Sequence, residues 1–431
     1  MHTESPKTTL GVEVDLLSGF PFSSKAYTED PSDVRLLRGD NIAQGYIRWA
    51  NAKRWPHEDA HNFEQYELRK DDVVLAMDRP WIDAGLKYAA ISERDLPCLL
   101  LQRTARLRCG QNLDNQFLRY LVGSPEFTRH IQSITTGSLV PHISSRQIKD
   151  FAFVRPPIAK QRRIAAVLGS LDAKIELNQR INAELEGMAK LLYDYWFVQF
   201  DFPMTAAQAT ALGKPKLAGH PYRASGGKMI YNELLKRDIP EGWKIKPLSE
   251  IVNVTKETVN PSDEPAMSFK LFSIPVFDKT GSYSVDLGAD IGSHKFVVTG
   301  NDILVSKLNP WTSRVIYTDA EIEAVCSTEF VVWQATSSWQ KAYLYMLARS
   351  PQFIAHCSQS ASGTSNSHKR VNPNVMMSHV APWDTSVVQA FGDRVNSMLL
   401  ARQVNQTQNQ ELIQLRDWLL PMLMNGQVTV G

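Results

Sequence analysis

The chain has 431 residues, with 47 Lys and Arg against 45 Asp and Glu and a formal net charge of +2. This length predicts two or three domains. An apolar content of 43% with 21% charged residues is ordinary for a globular protein, which excludes collagen-like and wholly disordered chains. No apolar run reaches the roughly 18 residues of a membrane span, and the first residues lack the apolar core of a signal peptide. We therefore expect a cytoplasmic protein that makes no contact with a membrane.

A first globular segment is predicted over residues 1–156. Short β-rich runs such as Val34–Leu37 and Asp72–Leu75 are separated by turn signals such as Gly39–Asn41. A helix is predicted near residues 113–132. This mixture of strands and helices indicates an α+β fold.

A long helix is predicted over residues 157–202. Residues 158 to about 197 contain no Pro, and apolar side chains recur there in steps of four and three. That spacing is the a/d seam of a coiled coil, here sustained for about four heptads. At 1.5 Å per residue the helix is about 55–60 Å long. The seam residues are Ile164, Leu168, Leu171, Ile175 and Leu185.

Two further segments follow the first long helix. Residues 203–240 contain many Pro and Gly, including Gly226-Gly227, and this composition predicts a linker. Residues 241–385 repeat the α+β type, with β-rich runs such as Asp302–Ser306 and a helix near 339–358.

A second long helix is predicted over residues 386–431. Its seam includes Leu412 and Leu419, with Asn405 and Asn409 at other seam positions. Either long helix alone would expose its apolar stripe, so antiparallel pairing of the two is the economical arrangement, and seam Asn residues can fix its register. The alternative is that each helix packs on its own globular segment.

Short motifs occur twice along the chain. Leu118–His130 and Leu344–His356 share Leu, Leu, Ser, Pro, Phe and His in register at an offset of 226 residues, whereas Asp72–Trp81 and Asp302–Trp311 match at an offset of about 230. The change in offset predicts a small insertion or deletion between the two blocks. The repeat predicts two copies of a globular unit followed by a helix, related by a pseudo-two-fold axis; the alternative is a chance match of short apolar helices.

Basic and polar residues concentrate in the loops of both globular segments. Residues Ser358–Pro373, for example, combine Ser, Gly, Thr and Asn with a His-Lys-Arg cluster. Such loops can contact phosphates by charge and base edges through Arg or Asn; the alternative for any single charge is an ordinary solvated surface position. The candidates for DNA contact are Lys53, Arg54, Arg79, Arg146, Lys149, Lys307, Arg314, His368, Lys369 and Arg370.

Catalytic motifs are sparse. The chain contains no P-loop, nucleophile elbow, H-E-x-x-H or Rossmann fingerprint, and no C-x-x-C pair. Asn309–Trp311 is similar to an amino-methyltransferase Asn-Pro-Pro-aromatic site but lacks the second Pro, and the matching copy reads Arg79-Pro80-Trp81. A turn with a packed Trp is the better interpretation. We expect no catalytic centre, metal or cofactor in this chain.

One long stretch resembles a known family, the specificity (S) subunits of type I restriction-modification systems. Pro156–Asn178 reads PPIAKQRRIAAVLGSLDAKIELN and is followed by Tyr195–Asp201, YWFVQFD. The usual family form is Pro-Pro-Leu-x-Glu-Gln-x-x-Ile-Ala, and Lys160 replaces the Glu here. Further segments similar to family signatures are Gly19–Phe22, Ile239–Trp243 and Leu415–Pro421. The N-terminus lacks the Pro-x-x-Trp opening that precedes the second globular segment, which predicts a short or altered first strand.

The resemblance implies a division of labour along the chain. Residues 1–156 and 241–385 would be two target recognition domains, each reading one half of a bipartite target in double-stranded DNA. The two helices would form an antiparallel coiled coil that sets the distance between the halves, and a rod of about 55–60 Å is close to twice the helical repeat of DNA, about 34–36 Å.

The resemblance also implies partner proteins. The helices would dock two modification subunits, which bind S-adenosylmethionine and methylate adenine, and restriction subunits would add ATP- and Mg-dependent translocation and cleavage. Gln161, Arg162 and Arg163 would contact a modification subunit or, alternatively, pack the start of the first helix. The seam residues are expected to be structural.

Two other functions remain open from the sequence. One is a stand-alone nuclease or methyltransferase, which the missing motifs oppose. The other is a coiled-coil adaptor that does not bind DNA, including a degenerate specificity subunit.

Overall fold

The fold is described from a computed structural model, which covers residues 6–82, 85–135, 141–363, 368–428 and 430. The chain divides into two compact units: unit 1 consists of Met1–Leu177 with Gln408–Gly431, and unit 2 of Asn178–Thr407. Each unit therefore contains one globular part and one segment of each long helix. In the described part of the chain, no helix is both long and apolar enough to cross a membrane.

The elements up to the end of the first long helix, in chain order, are β1 (Lys7–Thr9), α1 (Leu10–Glu13), β2 (Val14–Ser18), β3 (Val34–Leu37), β4 (Gln44–Gly45), β5 (Arg54–Trp55), β6 (Val73–Ala76), β7 (Trp81–Ile82), β8 (Gly85–Leu86), β9 (Tyr88–Ala90), β10 (Cys98–Leu100), β11 (Thr104–Cys109), α2 (Asn115–Val122), α3 (Pro125–Thr135), α4 (Ser145–Lys149), β12 (Ala152–Val154) and α5 (Ile158–Tyr193).

The elements that follow are α6 (Ala206–Ala211), β13 (Met229–Asn232), β14 (Arg237–Pro240), β15 (Lys244–Pro247), α7 (Leu248–Ile251), β16 (Asn253–Thr255), β17 (Thr258–Val259), β18 (Ser268–Phe272), α8 (Ile274–Thr280), β19 (Ser284–Leu287), β20 (Lys295–Val298), β21 (Asp302–Ser306), β22 (Val315–Tyr317), β23 (Ala324–Cys326), β24 (Phe330–Gln334), α9 (Ser338–Ala348), α10 (Pro351–Gln359), α11 (Pro373–Met377), β25 (Val380–Trp383) and α12 (Thr385–Met424).

Four strands of one sheet have the same order in the two units, and unit 1 adds β4 at the edge. In unit 1 the strand order is β2-β11-β6-β9-β4, and in unit 2 it is β16-β24-β21-β22. The central pairs are antiparallel in both units. A second sheet in each unit contains one parallel pair, β3 with β10 in unit 1 and β18 with β23 in unit 2. The predicted α+β fold and internal repeat are thereby confirmed.

The register of the strands locates the predicted insertion. Leu75 pairs with Tyr88 in unit 1, and its counterpart Val305 pairs with Val315 in unit 2. The offset is 230 residues at the first strand of each hairpin and 227 at the second. Unit 1 therefore has three additional residues between β6 and β9, where the small β7–β8 hairpin lies.

The strand that precedes this connection is buried on both faces. In unit 1, Val73 and Leu75 pack with helices α2 and α3, whereas Val74 and Ala76 face the second sheet. Because side chains alternate between the two faces of a strand, a continuous apolar run suits a position between two layers. The counterpart β21 divides in the same way, with Ile303 facing the helices and Leu304 the other side.

The recurring Ser-Pro-x-Phe-x-x-His motif has a structural role in both units. Ser124 and Ser350 lie at the starts of α3 and α10, where each hydroxyl accepts the backbone N–H three residues later, at 3.2 and 3.3 Å. These bonds satisfy helix N–H groups that have no partner within the helix. The Nε2 atoms of His130 and His356 lie 2.9 and 2.8 Å from the backbone carbonyl oxygens of Gln147 in α4 and Val375 in α11. The motif therefore ties α3 to α4 in unit 1 and α10 to α11 in unit 2.

The long helices pair antiparallel within each unit, as predicted. In unit 1, Asn409 on α12 donates to the carbonyl oxygen of Ile175 on α5 at 3.4 Å, and Arg416 lies 3.1 Å from Asp172. In unit 2, the Nδ2 atom of Asn405 donates to Oδ1 of Asn182 at 2.9 Å. Arg402 on α12 also lies 3.5 Å from Glu186 on α5. In both units, therefore, the residue number on α5 falls as the number on α12 rises, which is the antiparallel arrangement.

The seam residues differ in burial. Ile164, Leu168 and Ile175 are buried, whereas the remaining seam residues are half-buried: Leu171, Leu185, Leu412 and Leu419. Ile164 and Leu168 belong to the core of unit 1 together with Leu420 and Leu423 of α12. Both arrangements expected from the sequence therefore coexist, because α5 packs on its partner helix and on its own globular part.

Residues 203–240, which their composition predicts to be a linker, are ordered in the structure. They form α6 and the β13–β14 hairpin. Phe202 is fully buried, and its ring lies 5.0 Å from that of Tyr222 and 5.2 Å from that of Trp243. The Gly content reflects turns, since Gly213, Gly219 and Gly226 all have positive φ, a backbone conformation that Gly adopts without strain.

This packing gives a test of the ordered segment. The Tyr222 hydroxyl donates to the carbonyl oxygen of Lys228 at 2.9 Å. We expect Tyr222→Phe to lower the free energy of unfolding by about 0.5–1.5 kcal/mol, the net value of one hydrogen bond, in urea titrations of the full chain. Tyr231→Phe, at an exposed position in the same segment, is the matched control. Equal stability of the two variants would contradict the ordered packing.

Candidate nucleic-acid interface

Unit 1 contains a polar cleft of about 750 Å³ beside the end of β6. Three carboxylates and five basic side chains line it; the basic residues are Arg38, Lys53, Arg79, Lys87 and Arg103. The chain reaches this cleft from the ends of β3, β6 and β10, because the loops after these strands converge there. The cleft therefore places basic side chains from distant parts of the sequence side by side.

Most of the basic side chains in the cleft are near a carboxylate. Arg103 lies 3.0 Å from Asp78, and Lys53 lies 4.0 Å from Glu29. Arg79 is exposed and has no ion-pair partner among the described residues. Burial lowers the pKa of Lys87 at the floor of the cleft, while the Asp40 carboxylate opposes that shift. Arg79 is thus the cation in this cleft that is best able to bind an added anion.

The other unit 1 candidates lie elsewhere. Arg54, on β5, donates from Nη1 to the carbonyl oxygen of Asp33 at 2.7 Å, so its side chain supports the fold. Arg146 and Lys149 are exposed on α4 and do not line the cleft. Sequence reasoning missed three of the lining residues: Arg38, Lys87 and Arg103. Arg38 and Arg103 lie just beyond the strands β3 and β10, and that position is the one sequence signal for them; Lys87, between β8 and β9, has no such signal.

In unit 2 the candidates surround the turn after β21. The backbone N–H of Asn309 donates to the carbonyl oxygen of Lys369 at 2.7 Å, and Oδ1 of Asn309 accepts from the Lys369 N–H at 3.1 Å. The loop that carries Lys369 and Arg370 is therefore joined to the turn that follows Lys307. The structure thus brings together three predicted residues, Lys307, Lys369 and Arg370, and His368 is next to them in sequence. Residues 364–367 of the predicted loop lie outside the described residues.

Two of the unit 2 candidates are already engaged by the protein. Arg314 forms a bidentate pair with Asp278 at 2.6 and 2.8 Å and also donates to Thr312 at 2.6 Å. Arg370 lies 2.9 Å from Glu329, which raises its pKa. Lys307 has no ion-pair partner among the described residues. Arg314 therefore braces the turn, while Lys307 is left to contact a ligand.

The prediction of a packed Trp in the turn is wrong. Pro80 and Pro310 are buried, whereas Trp81 and Trp311 are 37% and 46% exposed. In each turn the Pro, four residues after the end of the buried strand, is the residue that packs inward, and the Trp after it faces outward.

The predicted partner-binding residues at the start of α5 separate into two kinds. Gln161 is fully buried and makes three hydrogen bonds: it accepts from the Asp114 N–H at 2.8 Å and donates to two backbone carbonyl oxygens at 3.0 and 2.8 Å. Gln161 thus packs the helix start, which is the second of the roles expected for it. Arg162 and Arg163 are exposed, so both are accessible to a partner.

The chain is similar in sequence to several known proteins. Residues 35–187 match the family of the type I restriction modification DNA specificity domain. The chain is 40% identical over 165 residues to the type I restriction enzyme EcoAI specificity subunit of Escherichia coli, which covers 38% of this chain and 27% of that protein. It is 29% identical to the MjaVIII specificity subunit of Methanocaldococcus jannaschii over 41% of each chain.

Two comparisons extend over most of the chain. The HindI specificity subunit of Haemophilus influenzae is 23% identical over 94% of this chain and 96% of its own length. The crystal structure of the type I S subunit from M. genitalium has a TM-score of 0.59 at 13% identity and covers 98% of this chain, which shows a shared fold. The chain spans only 27% and 41% of the two relatives named first. The resemblance found in the sequence is thereby confirmed: residues 35–187 match the family of the type I restriction modification DNA specificity domain, and the chain is similar to a specificity subunit over nearly its whole length.

Proposed function

We propose that this chain is the DNA sequence-recognition and scaffolding subunit of a type I restriction-modification complex. The proposal rests on one arrangement of strand, turn and cation that occurs at the same place in both units. In both units a buried strand, β6 or β21, ends in a turn with a cation that has no ion-pair partner among the described residues, Arg79 or Lys307. Such cations position a protein on the phosphate backbone. Two copies of one reading unit suit a target with two separate halves.

The long helices are assigned to spacing and docking. Their outer faces carry exposed apolar side chains at helical spacing, which mark contact surfaces when they are contiguous: Met188, Leu191 and Tyr195 in unit 2, and Leu415 and Trp418 in unit 1. We assign these faces to two modification (adenine methyltransferase) subunits, with the restriction subunits joining through them. The helical pair would set the distance between the two half-sites.

The chemistry is assigned to those partners. S-adenosylmethionine would bind to the modification subunits, which take the target adenine out of the stack, and ATP and Mg would serve the restriction subunits. This chain would select the site and hold the partners there without acting as a catalyst itself.

Methylation mapping tests the proposal. The chain is co-expressed with its cognate modification subunit, and the host DNA is sequenced for modified adenines. The expected result is one split motif with two short specific halves and a fixed gap. A soluble assembled complex that adds no methylation would overturn the proposal in favour of an adaptor that does not read DNA.

A segment exchange tests the assignment of the halves. Residues 241–385 are replaced by the corresponding segment of a relative with a different target. Because each unit has its own globular part and its own basic turn, we expect one half of the methylated motif to change while the other half and the gap stay the same. A change in both halves would contradict independent reading units.

The role of Arg79 can be measured by its salt dependence. Arg79→Ala in the assembled complex should weaken binding to all DNA sequences and lower the slope of log K against log salt by about 1, because each phosphate contact releases condensed counterions. Arg94→Ala is the matched control, since Arg94 is exposed but already lies 2.8 Å from Glu176. If Arg79→Ala relaxes a single base position instead, Arg79 reads a base and does not bind phosphate.

A further inference from the structure

Each unit presents a Pro-Trp turn at the same point of its fold. Pro80-Trp81 follows β6, and Pro310-Trp311 follows β21. We call these two segments the Pro-Trp turns. Neither Trp serves the core of its unit, because both indoles are exposed while the prolines before them are buried.

The backbone before each Pro is held in an unusual conformation. Arg79 and Asn309 have φ values of 44° and 48°, the left-handed region that residues with a Cβ adopt only rarely. A residue before Pro also normally adopts an extended conformation. Strained backbone that recurs without Gly is typical of functional sites.

A hydrogen bond to a second loop holds each turn in place. The Arg79 N–H donates to the carbonyl oxygen of Pro141, and the Asn309 N–H donates to that of Lys369, both at 2.7 Å. The two units use the same bond although the turns differ in sequence and length. Unit 1 extends its turn into the β7–β8 hairpin, on which Ile82 is exposed beside Trp81, and unit 2 braces its shorter turn with Arg314. The fold therefore fixes the backbone of each turn at the point where it presents its Trp.

The surroundings of both turns are cationic. Arg79 lies two residues before Trp81, beside the basic cleft of unit 1. In unit 2, Lys307 precedes the turn and Lys369 is hydrogen-bonded to it. A rigid apolar side chain among cations suits a DNA groove, where the cations meet phosphates and the aromatic ring meets sugars and base edges.

We infer that Trp81 and Trp311 are DNA-contacting residues, each packing its indole into the groove of the half-site that its own unit reads. This inference rests on the proposed function and adds one specificity-determining residue to each reading unit. The indole supplies apolar contact and shape selection, so its contribution differs from that of the neighbouring cations.

The test uses the full chain assembled with its cognate modification subunits and a duplex carrying the mapped target. Trp81→Ala and Trp311→Ala should each weaken binding to that duplex by about tenfold or more, the effect of removing a buried aromatic anchor from an interface. The salt slope should stay unchanged, because no charge is removed. Trp→Phe at either position should restore most of the affinity.

Tyr231→Ala, another exposed aromatic residue in unit 2, is the control and should bind as the wild type does. A second measurement uses the Trp→Phe variants, which conserve an aromatic ring at the turn. DNA should quench the wild-type tryptophan fluorescence by more than it quenches that of either variant.

The outcomes distinguish a failure of the role of the Pro-Trp turns from a failure of the proposed function. If the wild-type complex binds the target but both Ala variants bind within twofold of it, the role of the Pro-Trp turns is overturned. Equal quenching in the wild type and the Phe variants would overturn it as well. If the wild-type complex itself neither binds nor methylates a defined target, the proposed function fails, whatever the variants do.

Discussion

Asp72→Ala should destabilise unit 1 by about 2–3 kcal/mol, because it removes hydrogen bonds between charged groups, worth about 1.5–3 kcal/mol each, and leaves the half-buried Arg108 without its carboxylate. Asp72 is 2% exposed, and its carboxylate accepts two hydrogen bonds from Arg108, both at 2.7 Å, and one from the Arg69 N–H at 2.7 Å. Hydrogen bonding to Asp72 raises the pKa of Arg108. Without Asp72 that guanidinium and the turn amide both lose their partner, directly before the strand that leads to Trp81.

Hydrogen exchange is the suitable measurement, because it reports on each unit separately and does not require the whole chain to unfold in one step. Amides of β6 and β11 should lose protection, whereas those of β21 and β24 in unit 2 should not. Asp150→Asn removes an exposed carboxylate from unit 1 and serves as the control, since surface pairs contribute about 0–1 kcal/mol. Asp72→Leu combined with Arg108→Met should recover most of the lost stability, because replacing both charges leaves neither one unpaired.

The second large effect concerns pH and unit 2. Burial lowers the pKa of Lys341 on α9 to about 8. Its ammonium group donates to the carbonyl oxygens of Gly300 and Thr318 at 2.7 and 2.6 Å. These two carbonyls lie beside β21 and β22, the strands on either side of the second Pro-Trp turn.

Stability should rise with pH, because the folded state loses the Lys341 proton at a lower pH than the unfolded state does. Above pH 8 the folded state releases the Lys341 proton, while the unfolded state keeps it up to a pKa near 10.5. The unfolded state therefore binds more protons in this window, and the free energy of unfolding rises with pH. Relative to Lys341→Met, the wild type should gain about 1.4 kcal/mol per pH unit between pH 8 and 10. Below pH 8 the difference between the two should be constant.

Urea titrations of both proteins at several pH values measure this difference. Lys279→Met removes an exposed lysine of the same unit and leaves Lys341 in place, so the difference between the wild type and this variant should not change between pH 8 and 10. A wild-type stability that runs parallel to that of Lys341→Met from pH 8 to 10 would mean that Lys341 keeps its proton in the folded state.

The sequence alone determined the long-range organisation of this protein. The repeated Ser-Pro-x-Phe-x-x-His motif, the repeated strand before Pro-Trp and the a/d seams predicted two related units and two long helices, and these features are visible because apolar spacing reflects which face of an element is buried. The change of offset even predicted the additional residues of unit 1, although only the strand register placed them in the β7–β8 hairpin.

Tertiary structure decided which residues are accessible. Arg54, Arg314 and Gln161 looked like ligand-binding residues by type, but each is occupied by a partner far away in sequence: the Asp33 carbonyl, the Asp278 carboxylate and the Asp114 amide. The exposure of Trp81 and Trp311 could not be predicted either, because the local sequence Pro-Trp is the same for a buried and for an exposed Trp. Composition predicted a linker over residues 203–240 but not the helix and hairpin within it, since Gly and Pro mark turns in structured and unstructured segments alike. Hydrogen-bond partners and burial depend on contacts between distant segments, and local sequence carries no record of those contacts.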